Sequence, residues 1–265
     1  MLLENKTAVI YGAGGAIGGA TARTFAREGA QVFLAGRTPA RLQAVARDIV
    51  AADGHAEVAT LDVLDQAAVD AHADAIAEAT GGIDITFNAV GFTHVQGPPL
   101  AELTLQDFMH PVDAYARAHF IVAKAVARHM ATRGGGVILS LSTPGARMSG
   151  TGFLGNGVAS AAVEAFSRLL AGELGASGIR VVCLRPHAIP EAVAHSHTRE
   201  VFAGFAQRTG LSIEEMLATH AQTGTLLKRL PTLQEVADTA TFVASDRAGA
   251  MTGAIVNLSC GALVD

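Results

Sequence analysis

The stretch Thr7–Gly18, TAVIYGAGGAIG, restricts what this chain can fold into more than any other segment. Thr7 to Tyr11 is a short apolar and β-branched run with the make-up of a buried strand, and after a glycine cluster the spacing becomes that of an amphipathic helix from Ala16. Strand, glycine turn and helix in that order form the phosphate-binding corner of a nucleotide-binding α/β unit. Gly12 permits the sharp turn, Gly14 and Gly15 leave room for a phosphate to touch backbone, and Gly18 lets the helix lie close to the sheet. The helix start, Ala16 and Ile17, offers free N–H groups and the positive end of the helix dipole to a pyrophosphate. A tight turn in an alanine-rich protein gives the same letters, so the reading depends on the pattern of the rest of the chain.

That pattern alternates. Strands are expected at Gln31–Ala35, Ala56–Thr60, Ile83–Phe87, Val137–Leu141, Arg180–Arg185 and Ile255–Leu258, with helices at Pro39–Asp53, Gln66–Thr80, Thr104–Ala131, Gly157–Leu174 and Thr232–Ala244. This alternation predicts an α/β fold of Rossmann type: a doubly wound parallel sheet of about seven strands with helices on both faces, a three-layer αβα sandwich. One domain, residues 1–265, accounts for the chain, with no repeat, low-complexity linker or boundary. Residues 187–222 form an insertion with apolar spacing at Val201, Phe202 and Phe205 and again at Ile213, Met216 and Leu217, which predicts two short amphipathic helices. Such an insertion serves either as a lid over a substrate site or as a packing hairpin.

Composition narrows the partners. Half of the 265 residues are hydrophobic, enough for one sizeable core, while a net charge of -5 with no lysine and arginine block argues against nucleic acid. No apolar run is long enough to span a bilayer, and MLLENK lacks the cationic start and apolar core of a signal peptide, so a soluble cytoplasmic protein is expected. Cys183 and Cys260 lie in apolar runs, where a thiol packs as a small hydrophobe. After the second strand there is no acid to hold ribose hydroxyls but there is Arg37, which suits a ribose phosphate; NADP(H) is therefore favoured over NAD(H), unless Arg37 is a solvated surface residue.

The order of motifs resembles the short-chain dehydrogenase/reductase family from Thr7 to Gly261. The glycine corner is similar to its G-x-x-x-[AG]-x-G motif at Gly12, Ala16 and Gly18, with Tyr11 where threonine is commoner. Asp62 and Val63 resemble the pair that contacts adenine, and Asn88-Ala89-Val90-Gly91 resembles the N-N-A-G stretch. Ser245-Asp246, Thr252-Gly253 and Ile255–Leu258 repeat the closing pattern. The resemblance implies cofactor contacts at Gly12, Gly14, Gly15, Ala16, Ile17, Gly18, Arg37, Asp62, Val63, Asn88 and Gly91. It also implies hydride transfer between a nicotinamide and a carbonyl or alcohol carbon.

The family's proton chemistry is missing. Where its Tyr-x-x-x-Lys would stand the chain has Asn156 and Ser160; Thr143 takes the serine position and Tyr115 that of the helix asparagine. The only tyrosines are Tyr11 and Tyr115 and the only lysines Lys6, Lys124 and Lys228, so no shift of alignment restores the pair. An amide exchanges no proton near neutral pH and a serine hydroxyl supplies no positive charge. His187, Tyr115 and His94 are the candidates to replace the acid, each against the plainer reading of a packed or solvated side chain. Glu191 falls where a cofactor-binding threonine is usual, and its charge would repel a pyrophosphate unless it turns outward. His195 and His197 form a His-x-His without further ligands, so no metal is expected. The alanines Ala114, Ala118, Ala125, Ala161, Ala162 and Ala165 suit either close subunit packing or burial, and a homodimer or homotetramer is expected. Two readings remain: an atypical NADP-dependent oxidoreductase acting on a largely apolar small molecule, or a catalytically silent family member that binds a dinucleotide, small ligand or partner subunit. They are told apart by whether His187 and Tyr115 reach one pocket with Thr143.

Overall fold

The computed structural model describes residues 1–264; the side chain of His195, and with it the expected His-x-His pair, lies outside the described residues. In chain order the elements are β1 (Thr7–Tyr11), α1 (Ala16–Arg27), β2 (Gln31–Gly36), α2 (Pro39–Ala51), β3 (His55–Thr60), α3 (Gln66–Thr80), β4 (Ile85–Asn88), α4 (Leu105–Arg133), β5 (Gly136–Leu141), α5 (Leu154–Leu174), β6 (Ile179–Pro186), α6 (Ala192–His195), α7 (Thr198–Thr209), α8 (Ile213–Gly224), α9 (Leu233–Ala244) and β7 (Ile255–Leu258). Every strand pair is parallel, in the order β3-β2-β1-β4-β5-β6-β7.

Successive strand residues point to opposite faces, and in the central strands both faces are covered, so these strands read as continuous apolar runs. Ile10, Leu34, Phe87, Leu139 and Leu184 meet Phe25 of α1, Leu42 of α2 and Val243 of α9. On the other face Val9, Phe33, Ile138 and Val181 meet Val69 of α3, Val122 of α4 and Ala171 of α5. The three layers expected from the sequence are thus present.

The chain winds outward from β1 through β2 to β3, then returns to the other side of β1 to lay down β4 to β7. The crossovers on the two sides of β1 therefore diverge, leaving a crevice above the carboxyl ends of β1 and β4, where open α/β sheets bind ligands.

Most boundaries agree with expectation. Thr104 and Thr232 prove to be caps of α4 and α9, each accepting a backbone N–H from the third helical residue at 3.1 Å. Two details differ. Helix α5 begins at Leu154, ahead of the expected Gly157, and the insertion contains the extra single turn α6 beside α7 and α8. Ala114, Ala118 and Ala125 are buried against the protomer's own sheet, so this stripe is spent inside one chain and carries no argument for assembly.

The glycine corner needs its glycines. Gly12 has φ +81°, and a Cβ there would stand 2.7 Å from the Ala89 carbonyl, while a Cβ on Gly18 would overlap the Gly12 carbonyl oxygen. We expect Gly18→Ala to lower unfolding stability by roughly 1–3 kcal/mol through overpacking, read from the urea midpoint; an unchanged midpoint would show that helix α1 moves away freely.

Candidate active site and dinucleotide cleft

The crevice above β1 and β4 holds a cleft lined by Gly12, Gly14, Gly15, Ala16 and Ile17, by Arg37 and Arg41, and by Asp62, Val63 and Gly91. Gly15 caps α1 and has no side chain with which to satisfy the first helical N–H groups, so these remain available to an anion. Arg37 follows β2 and Arg41 lies in the first turn of α2; both residues line the cleft, and neither has a carboxylate partner among the described residues. Sequence reasoning missed Arg41, although it stands one helical turn beyond Arg37. Asp62 lines the cleft while its carboxylate accepts the Leu64 N–H at 3.0 Å.

Two of the expected contacts lie elsewhere. Asn88 is buried and turned from the cleft: its amide donates to the Ala118 carbonyl of α4 at 3.3 Å and accepts the Val90 N–H at 3.4 Å. It shapes the turn after β4. Gly18 is absent from the cleft wall and serves the close contact between α1 and Gly12. Glu191 turns outward, accepting the Leu233 N–H of α9 at 2.9 Å, so its charge is directed to a helix start and away from the glycine corner.

Beside the cleft, over the ends of β4, β5 and β6 and under the insertion, lies a chamber of about 300 Å³. Val201, Phe202 and Phe205 of α7 and Met216, Leu217 and His220 of α8 cover one side of it. Its lining contains no Asp, Glu, Lys or Arg among the described residues. The two spaces share Ile17, Ala89, Val90, Gly91, Ala192, His197 and Thr198. At this seam His197, on the N-terminal flank of α7, rests against Gly91 so closely that any Cβ there would collide with its ring.

The four positions that match the family's catalytic set all line the chamber. Thr143 and Ser160 hydroxyls are 2.9 Å apart, and the Asn156 amide donates to Thr143 at 3.3 Å. Gly145 permits this closeness, since a Cβ there would come within 3.1 Å of both Asn156 and Thr143. Tyr115 reaches the chamber from α4, but its hydroxyl accepts the Phe92 N–H at 3.3 Å, its ring stands edge-on to Phe92, and burial pushes the phenol above its ordinary value. His187 also lines the chamber. Its Nδ1 accepts the Ala188 N–H at 2.7 Å, leaving the proton of the neutral ring on Nε2, and burial together with His220, 6.1 Å away, holds its pKa down to about 4. His94 uses both ring nitrogens, Nδ1 donating to the Phe92 carbonyl at 2.8 Å and Nε2 accepting from Gln96 at 2.9 Å.

A buried ion pair supports this wall. Arg185 of β6 donates to both Glu164 carboxylate oxygens, at 2.7 and 3.0 Å, and Ser142 donates to the same carboxylate at 2.8 Å. Cys183 beside it is free, with burial raising its thiol.

A glycine corner at the switch point of a parallel sheet, beside a chamber at the ends of the next strands, places the chain among α/β proteins of the doubly wound class. Comparison with known proteins narrows the class: the family model described as enoyl-(acyl carrier protein) reductase matches residues 12–262, and the chain belongs to the short-chain dehydrogenase/reductase family. It is 28% identical over 252 residues to D-threitol dehydrogenase of Mycolicibacterium smegmatis, covering 95% of this chain and 90% of that one. With 7α-hydroxysteroid dehydrogenase of Escherichia coli it shares 29% identity over 260 residues, covering 98% and 94%. A solved 7α-hydroxysteroid dehydrogenase complexed with NADH and 7-oxo glycochenodeoxycholic acid superposes with a TM-score of 0.82 at 26% identity, covering 98% of this chain and 94% of that one.

The buried histidines set an acid limit. His72, His119 and His187 are each held down to about 4 by burial, so between about pH 6.5 and 4 the unfolded chain takes up protons that the folded one refuses. Stability should be fullest above pH 6.5 and fall as pH drops through that window. A urea midpoint unchanged between pH 7.5 and 5 would contradict this.

Proposed function

We propose that this chain is an NADP(H)-dependent oxidoreductase that moves hydride between a nicotinamide and the carbonyl or alcohol carbon of a small, largely apolar molecule, with the accompanying proton exchanged with water because the site has no resident proton donor. The observation that carries this reading is the adjacency of the glycine-lined cleft to a chamber whose wall bears Thr143, Ser160 and Asn156, the two spaces sharing Ile17, Ala89, Val90 and Gly91.

The chain's groups fit the cofactor. Gly14, Ala16 and Ile17 leave backbone N–H groups that would meet a pyrophosphate, Val63 and Asp62 would flank the base, and Arg37 with Arg41 would suit a ribose phosphate. Bound there, the nicotinamide would supply or accept the hydride. Thr143 and Ser160 hydroxyls and the Asn156 amide would hold and polarise the substrate oxygen, but none of them gives up a proton near neutral pH. His187 is cationic only near pH 4 and below, and Tyr115 is held by Phe92. Absence of a positioned acid costs on the order of a hundredfold to ten-thousandfold in rate, so turnover should be slow.

The same absence favours the second reading, a silent family member that binds dinucleotide and ligand without turnover. In either, residues 1–265 act as one domain with 187–222 as its lid. Association into a homodimer would cover the apolar side chains exposed on α4 and α5, among them Phe120 and Leu169.

Two measurements test the proposal. In a fluorescence titration NADPH should bind saturably, and Arg37→Ala or Arg41→Ala should weaken it about tenfold with little effect on NADH. Equal loss for both nucleotides would remove the phosphate assignment, and no binding of either would remove the cofactor. The double variant Asn156→Tyr with Ser160→Lys should raise carbonyl reduction on the order of a hundredfold if the hydride path is intact; no turnover with NADPH bound, in either protein, would leave the silent reading.

A further inference from the structure

Two imidazoles of the chamber lining approach each other from different parts of the fold. His187 follows the end of β6, where its N–H donates to the Leu258 carbonyl of β7 at 3.2 Å, so its backbone is fixed to the sheet. His220 belongs to α8 of the insertion. That helix starts with a reciprocal cap, Ser212 Oγ accepting the Glu215 N–H at 3.1 Å and the Glu215 carboxylate accepting the Ser212 N–H at 2.8 Å. From this start the spacing brings Met216, Leu217 and His220 to one helical face, and all three line the chamber.

The hydrogen-bonding state of the pair follows from its neighbours. His187 Nδ1 holds a lone pair, since it accepts the Ala188 N–H at 2.7 Å, and Nε2 is therefore an N–H donor. That Nε2 and both ring nitrogens of His220 have no hydrogen-bond partner among the described residues, and each keeps accessible surface. The ring centroids are 6.1 Å apart, too far for the rings to bond each other directly. One oxygen at about 2.8–3.0 Å from a nitrogen of each ring can bridge that span. The other two histidines of the lining stand apart from this pair: His94 uses both ring nitrogens on Phe92 and Gln96, and His197 rests against Gly91. With no Lys or Arg in the described lining, a carboxylate placed here would lack a fixed countercharge, whereas a neutral oxygen needs none.

We propose that His187 and His220 are the specificity-determining pair of the chamber, and that they hold between them a hydroxyl group of a neutral ligand. The hydroxyl oxygen accepts from His187 Nε2–H, and its proton is donated to a lone pair of His220, whose tautomer no other bond fixes. The inference rests on the chamber being the substrate site and deepens that reading: the ligand carries a second oxygen besides the one at the Thr143–Ser160–Asn156 wall, which makes it a hydroxy ketone or a diol. One imidazole is carried by the sheet and the other by the insertion, so the bridging hydroxyl also links α8 to the end of β6.

The test uses 3- and 4-hydroxycyclohexanone beside 3- and 4-methylcyclohexanone, titrated at pH 7.5 into the protein with and without NADPH and followed by amide NMR. Hydrophobicity alone makes an apolar chamber favour the methyl compounds. The wild-type protein should instead bind at least one hydroxy ketone about fivefold more tightly than its methyl counterpart. His220→Phe and His187→Phe keep a ring but remove the nitrogens, and each should reverse the preference. His220→Phe breaks no internal hydrogen bond, so it decides the matter even if His187→Phe, which loses the Ala188 contact, does not fold. A wild-type protein that binds both kinds equally or prefers the methyl compounds overturns the pair, and so does a hydroxyl preference that survives His220→Phe. If no ketone perturbs chamber residues, the substrate-site reading fails and this inference with it. A preference lost in His220→Phe supports the pair even where NADPH does not bind, and in that case only the cofactor reading falls.

Discussion

The ion pair between Arg185 and Glu164 is the interaction on which the site depends. It joins the end of β6, from which His187 emerges, to α5, which carries Asn156 and Ser160, and through Ser142 it takes in the residue before Thr143. Arg185 is 1% exposed, so the pair receives little help from water. Removing one partner from such a pair typically costs about 3–5 kcal/mol, since the other is left charged in a medium that cannot solvate it. Three elements meeting at the chamber are thus tied at one point just behind it, and Thr143, Asn156 and Ser160 take their relative positions from that tie.

The candidate site beside this frame is made of hydrogen-bonding groups. Thr143, Ser160 and Asn156 lie together on one wall, and their hydroxyls and amide do not titrate near neutrality. His187 and Tyr115 do share the chamber with Thr143, yet their surroundings move both away from useful proton exchange: burial lowers the imidazole and raises the phenol. Desolvation, which tunes acids and bases at many active sites, here acts on both in the direction that keeps them uncharged.

Much of the fold was legible because the signals were local. The expected bounds of β1, α3 and β7 match those of the structure, and β1 and β7 were readable as short apolar runs; the cap that starts α3, Asp65 accepting the Ala68 N–H at 3.1 Å, emerges from the structure. The start of α5 was not legible: Leu154-Gly155-Asn156-Gly157 has poor helix propensity, and the helix exists there because Gly155 allows close contact with Phe108 and Pro111 of α4. At the cleft, the glycine positions could be read from spacing, whereas the inward turn of Asn88 and the outward turn of Glu191 depend on α4 and α9, which arrive from distant parts of the chain.

His197 bears on the length of molecule that the two spaces accept together. Its ring occupies the seam against Gly91 that the cleft and the chamber have in common. A molecule confined to either space meets no obstacle there, but one long enough to occupy both must cross the line of this imidazole. His197 belongs to the insertion and not to the sheet, so the partition between the two spaces is built from a different part of the chain than the strand ends on which both of them rest.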